Sequence, residues 1–381
     1  MSWDIFCSVV DNFGDIGVSW RLARQLASEQ GARVRLWVDN LHSFQALCPE
    51  LDVLAPVQTL HGIEIRHWTP EFAAVEPGDV VLEAFGCRLP EAFVAAMALR
   101  TPPPVWINLE YLSAEDWVES HHGLASPHPR LPLVKYFFFP GFTARSGGLP
   151  VERDLAPRRD AFQADATAIA AFRASIGAAP AQPGVLNASL FCYAHAPLAE
   201  LLDTWGNGAI GVDCLVPDGA GLERIRSITG AALRPGEAWR RGRLRLQAVP
   251  FLDQDGYDRL LWASDLNFVR GEDSFVRAQL AARPMVWQPY RQEEGSHFVK
   301  MQAFLGRYCL GMDAAQAASV RGFWEAWNGP AAGGDAWAGL WASVWAVRPA
   351  WGDSALAWAG VLGGAPTLAD NLALFCQNKL K

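Results

Sequence analysis

The chain has 381 residues, is 51% hydrophobic and 19% charged, and carries a formal net charge of −8. This length suits two domains or one large one, with ample apolar material for cores. The acidic balance excludes nonspecific binding to nucleic acid or to anionic membranes, and it favours encounter with a basic protein patch.

Trp3 to Val10 reads as a first strand, and Asp11-Asn12-Phe13-Gly14-Asp15-Ile16-Gly17 follows as a turn. A helix then runs through Val18, Leu22, Ala23 and Leu26 and ends near Gly31, before a second strand at Val34–Val38. This β-α-β opening is the start of a doubly wound sheet. Asp11 and Asp15 flank the end of the first strand, where open α/β sheets place their ligands. Asp15 also fits a helix cap. Two carboxylates at that point suit a bound cation or a proton transfer. A strand and turn are expected at Val80–Gly86, and a further strand at Pro103–Tyr111. His121 and His122 lack ligand partners at useful spacing and read as loop residues.

Tyr136–Phe139 is apolar, Ala164–Ile176 reads as an Ala-rich helix, and Ala179-Pro180-Ala181-Gln182-Pro183-Gly184 has the composition of a linker. The domain boundary is expected there: 1–182 as a first Rossmann-like domain, 183–361 as a second, and 362–381 as a terminal helix. The β/α pattern restarts with strands at Val185–Tyr193, Gly211–Val216 and Leu244–Val249. Asp253-Gln254-Asp255 has the D-x-D spelling of some metal-dependent sugar transferases, but beside Gly256 it reads as a solvated turn. Trp337, Trp341 and Trp345 are spaced i, i+4, i+8 and share one helix face, which reads as packing.

The stretch Leu266 to Gln279 carries the most chemistry. Leu266–Val269 is a short buried strand, Arg270-Gly271-Glu272-Asp273 a tight polar turn, and Asp273 or Ser274 a cap for the helix beyond. Strand, turn and capped helix aim backbone N–H groups and a positive helix end at one point. An arginine there suits a diphosphate. Glu272 and Asp273 would repel phosphate, so they must face sugar hydroxyls, backbone N–H groups or a cation. The same string also fits an ordinary capped turn with a surface ion pair.

Cys7, Cys48, Cys87, Cys192, Cys214, Cys309 and Cys376 are scattered with no CxxC pair. They read as reduced core residues of a cytoplasmic protein, not as zinc ligands or disulfides. Asp4 within the first apolar run argues against a signal peptide. No membrane span is expected, since no apolar run reaches about 18 residues.

Five strings together resemble the bacterial protein-arginine rhamnosyltransferases that modify elongation factor P. They are Val10–Gly17, Trp106–Ser113, Tyr136–Phe142, Leu190–Tyr193 and Asn267–Phe275. The resemblance covers essentially the whole chain. It implies an α/β GT-B fold of two Rossmann-like domains facing across a cleft, with the terminal helix crossing back to the first. It implies dTDP-β-L-rhamnose as donor, one arginine of elongation factor P as acceptor, inversion at the anomeric carbon, and no metal or other cofactor. The modification would activate the factor for relief of ribosomes stalled at proline runs. Asp11, Asp15 and Glu272 match catalytic positions. Phe191, Tyr193, Phe251, Gln254, Arg270, Asp273 and Ser274 match donor-binding positions. Outside the resemblance, the same fold would serve an epimerase, a transferase to a small acceptor, or a nucleotide-binding module without chemistry. Three carboxylates gain a pure anion sensor nothing.

Overall fold

The structure is a computed structural model that describes every residue except 11, 12, 73, 292–294, 331, 332 and 381. In chain order it runs β1 (Ser2–Cys7), α1 (Gly14–Gln30), β2 (Arg33–Val38), α2 (Leu41–Leu47), β3 (Val57–Leu60), β4 (Ile63–His67), β5 (Val80–Ala84), α3 (Glu91–Leu99), β6 (Val105–Leu109), α4 (Val118–His121), β7 (Ala125–Pro127) and β8 (Val134–Phe138). It continues α5 (Leu155–Ala164), α6 (Ala166–Ser175), β9 (Leu186–Leu190), α7 (Leu198–Asn207), β10 (Val212–Pro217), α8 (Ala220–Thr229), β11 (Ala238–Arg241), β12 (Leu244–Val249), α9 (Gln254–Trp262), β13 (Leu266–Arg270), α10 (Asp273–Leu280) and β14 (Met285–Gln288). The helices α11 (Ser296–Tyr308), α12 (Ala314–Asn328), α13 (Gly334–Ala346), α14 (Arg348–Gly363) and α15 (Leu368–Leu380) close the chain. Among the described residues no helix is long and apolar enough to cross a membrane.

Two compact units result: Met1–Arg153 with Gly364–Lys381, and Asp154–Gly363. The first is built on an 8-stranded sheet in the order β3-β4-β2-β1-β5-β6-β8-β7. Its six inner strands are parallel, and only the edge strands β3 and β7 run antiparallel to their neighbours. Every residue of β5 and β6 is buried, as a parallel strand covered on both faces requires. Helix α1 buries Ile16, Trp20, Leu22, Ala23 and Leu26, and it stops where Gly31 takes φ 61. The chain order reverses between β1 and β5, and open α/β sheets place their ligands at the carboxyl ends of strands at such a point.

Helix α15 belongs to this first unit. Leu368, Ala369, Leu372 and Cys376 lie in the core formed by β1, β2, β5 and β6. Leu368 N–H donates to Leu149 O (2.8 Å), and Gln30 Nε2 and Arg153 Nη2 both donate to Asp370 Oδ1 (2.6 and 2.9 Å).

The second unit holds a 6-stranded sheet, β11-β12-β10-β9-β13-β14, parallel except for the edge strand β11. Its order reverses between β9 and β13. Trp205, Trp324, Trp327 and Trp337 are buried in it, and the Trp341 ring packs edge-on against Trp205, so the tryptophan face of α13 is core.

The units divide after Arg153, well before the Pro/Gly stretch at 179–184 that marks the expected boundary at 182. The physical reason is an ion cluster. Arg173 of α6 donates to Asp213 of β10 (2.6 Å), a carboxylate also held by Arg245 (2.8 and 2.6 Å) and Gln247 (2.6 Å). Arg159 of α5 donates to Leu280 O (2.8 Å). Buried charges need such partners, and these bind α5 and α6 to the second unit.

Candidate active site

Of the expected site residues that the structure describes, Asp15, Phe191, Tyr193 and Arg270 sit at or just past the carboxyl ends of the strands beside the reversal points, whereas Phe251 and Gln254 follow β12. In the first unit, α1 follows β1 and carries Asp15 in its first turn, only 1% exposed. Asp15 is not the cap of α1. That position is Phe13, with no side-chain cap bond. Instead Asp15 reaches back along the loop: Val10 N–H donates to Oδ2 (2.8 Å), and the Tyr111 hydroxyl donates to Oδ1 (3.1 Å). Asp11, its expected partner, lies outside the described residues.

Tyr111 lies two residues beyond β6, and its ring stacks on Phe85 at 4.5 Å and 19°. Phe85 follows β5 directly and has φ 57, with Gly86 at φ 69 and Cys87 N–H donating to Ala84 O (3.2 Å). Two successive left-handed residues make a tight reversal of the type I′ kind, where Gly or Asn is usual. A phenylalanine there costs about 1–2 kcal/mol. Nearby, Asn108 accepts from Gly86 N–H (3.2 Å) and donates to Glu110 (2.5 Å). Sequence reasoning passes over Phe85, because an aromatic residue before a glycine carries no sign that its own backbone is the strained one.

In the second unit, Phe191 and Tyr193 follow β9, and Arg270 ends β13. Phe191 N–H donates to Phe268 O (3.0 Å), which extends the pairing of the two strands past β9. The Arg270 guanidinium carbon lies 4.7 Å from the Phe191 ring centroid and 4.5 Å from that of Tyr193. Each such contact is worth about 0.5–2 kcal/mol, depending on exposure. Gly271 takes φ 68, and its carbonyl accepts from Trp287 Nε1 (2.7 Å), which pins the turn.

Helix α10 begins at Asp273, with Glu272 at the cap position and no side-chain cap bond. Neither Asp273 nor Ser274 is the cap. The Ser274 hydroxyl donates to the Arg270 carbonyl. Gln254, at the start of α9 and 3% exposed, donates through Nε2 to Asp273 Oδ2 (3.4 Å), so the first turns of α9 and α10 touch. Phe251 lies in the short connection between β12 and α9. The D-x-D spelling resolves into a cap: Asp253 Oδ1 accepts from Gly256 N–H (2.7 Å).

Gln288, at the end of β14 and in register with Arg270, is a site residue that sequence reasoning missed. Its Oε1 accepts from Tyr193 N–H (2.8 Å). A glutamine closing an apolar strand was the available signal. His195, stacked on Tyr193 at 5.6 Å and 7°, has its imidazole pulled below the usual range, first by burial and then by Arg291 and His297. Burial drives the Cys192 thiol up to about 12 despite Arg270 nearby, so it stays protonated. Such an edge suits an anionic ligand held by a planar fork and a helix start.

The family model described as Elongation-Factor P (EF-P) rhamnosyltransferase EarP matches residues 3–377. A protein-arginine rhamnosyltransferase of Pseudomonas putida is 47% identical over 383 residues, covering 100% of this chain and 99% of the relative. One of Pseudomonas aeruginosa is 49% identical over 375 residues, covering 98% of each. A solved structure concerned with EarP-mediated arginine glycosylation of translation elongation factor EF-P superposes with TM-score 0.70 at 35% identity, over 99% of both chains. Acinetobacter baumannii MurG, at 13% identity and TM-score 0.52 over 100% of this chain and 99% of its own, shares the fold alone. The fold is that of the GT-B glycosyltransferases.

Proposed function

The chain belongs to the EF-P rhamnosyltransferase EarP family and is a protein-arginine rhamnosyltransferase; from that premise we propose that it moves L-rhamnose from dTDP-β-L-rhamnose to one arginine of elongation factor P, with inversion. It acts in the cytoplasm, and the modified factor relieves ribosomes stalled at proline runs. The observation that supports this most is the convergence of Phe191, Tyr193, Arg270 and the start of α10 on one carboxyl edge of the second sheet. That set fits a nucleoside diphosphate. Asp15, at the matching edge of the first sheet, supplies the carboxylate that a guanidinium acceptor needs.

The acceptor sets the chemical problem. A guanidinium has a pKa above about 12, so removing its proton before attack at neutral pH costs on the order of 7 kcal/mol or more. The proton therefore leaves late, as the C–N bond forms, with the carboxylates first holding and polarising the cation. Asp15 takes the proton, Asp11 orients the guanidinium, and Glu272 binds the same cation or a sugar hydroxyl. Phe191, Tyr193 and Phe251 offer faces to the thymine, each base contact being worth roughly 1–3 kcal/mol. Gln254, Asp273 and Ser274 complete the donor site. Arg270 and the α10 start neutralise the departing dTDP, so the reaction needs no metal.

Intact-mass measurement of elongation factor P, after incubation with this protein and dTDP-rhamnose, tests the reading. A gain of one deoxyhexose on an arginine is expected. An unmodified factor alongside consumption or epimerisation of the sugar nucleotide would overturn it.

A further inference from the structure

We infer that Tyr111 is a positioning residue that acts on the reaction through Asp15, and that Phe85 fixes Tyr111 in place. The inference rests on the reading of Asp15 as the base.

A carboxylate that is to receive a proton must be ionised and correctly turned when the acceptor nitrogen attacks. Asp15 is held from two sides, by Val10 N–H on Oδ2 (2.8 Å) and by the Tyr111 hydroxyl on Oδ1 (3.1 Å). Two donors on different oxygens fix the plane of the carboxylate. The Val10 donor is backbone and comes with the loop. The Tyr111 donor is a side chain brought from the far end of β6, 96 residues away in sequence.

A hydroxyl on a half-open side chain aims well only if the ring cannot swing. Tyr111 is 36% exposed, and the face of Phe85 stacks on it at 4.5 Å and 19°. Phe85 occupies a left-handed position that glycine would take without strain, and the phenyl ring is what the strained position provides. Because β5 neighbours β1 at the reversal point, this turn sets Phe85 at the same carboxyl edge of the sheet from which the chain leaves β1 for α1, the helix that carries Asp15 in its first turn. Phe85, Tyr111 and Asp15 thus form a chain of contacts in which each side chain fixes the next.

The test is steady-state kinetics with dTDP-rhamnose and elongation factor P, comparing the parent with Tyr111→Phe, Phe85→Gly and Asp15→Asn. Tyr111→Phe keeps the ring and removes only the donor. It should lower kcat by about 10- to 100-fold, the range set by a hydrogen bond to a charged group, with both KM values unchanged. Phe85→Gly keeps the turn and removes the ring, and it should lower kcat in the same direction. Parental kcat for Tyr111→Phe beside an inactive Asp15→Asn would overturn this inference alone. A raised KM with unchanged kcat would also overturn it, by making Tyr111 an acceptor-binding residue. An Asp15→Asn variant turning over at the parental rate would overturn the base assignment, and this inference with it.

Discussion

Replacing Arg270 with alanine isolates the part of the second unit that is proposed to hold the donor diphosphate. Its guanidinium is held against two aromatic rings, at 4.7 and 4.5 Å, and its backbone carbonyl takes the Ser274 hydroxyl. Little side-chain entropy remains to be lost on binding, so most of the interaction with phosphate shows up as affinity. Two charge-assisted hydrogen bonds at about 1.5–3 kcal/mol each set an upper bound near 6 kcal/mol. Arg270 is only half-buried, and water recovers part of that in the variant. A loss of about 3 kcal/mol is expected, roughly 100-fold in Kd. Arg270→Lys keeps the charge but loses the planar fork and the fit against the rings, so a loss of about 10-fold is expected. Titration calorimetry with dTDP on all three proteins measures both steps. An Arg270→Ala affinity within about 2-fold of the parent, or a lysine variant as tight as the parent, would refute the bidentate assignment.

Asp213→Ala leaves Arg173 and Arg245 buried and unpaired. It should destabilise the second unit by about 3–5 kcal/mol in urea unfolding, and a change below about 1 kcal/mol would mean that the two arginines find other partners. The Asp370 carboxyl is pushed up by burial but held below the usual range overall by Thr367, Arg153 and Gln30. Its stabilising effect is therefore complete above the ordinary carboxylate range and is lost as pH falls through the lowered value. Asp370→Asn should melt earlier than the parent at neutral pH, and the gap should close in acid; a gap independent of pH would contradict this. Turnover should survive EDTA unchanged, and a collapse restored by magnesium would end the metal-free proposal.

Much of the fold was legible because parallel strands buried on both faces are written as continuous apolar runs. Val80-Val81-Leu82 and Leu266–Val269 fall where such runs predict. Gly31 stops α1 because it alone accepts the left-handed position at no cost. The caps were misread where a side chain had a better partner elsewhere. Ser274 finds the Arg270 carbonyl, and Asp15 finds Val10 N–H and Tyr111. The domain boundary was misread because composition reports loops, whereas membership of a unit is decided by contacts such as Arg173 with Asp213, 40 residues apart. The positions proposed for the donor rest on resemblance, since Phe191 and Tyr193 read as plain core from sequence and the structure adds only that both rings touch Arg270.

Helix α15 has a consequence for biosynthesis. A ribosome that has just added Gly363 has made every strand of both sheets, yet the groove that Leu368, Leu372 and Cys376 fill is still open to water. The amino-terminal unit, translated first, is therefore the one finished last, and its nascent form must be kept from clumping while the rest is made. Premature stop codons between residues 153 and 368 should accordingly yield insoluble fragments, including those that encode the whole carboxyl-terminal sheet.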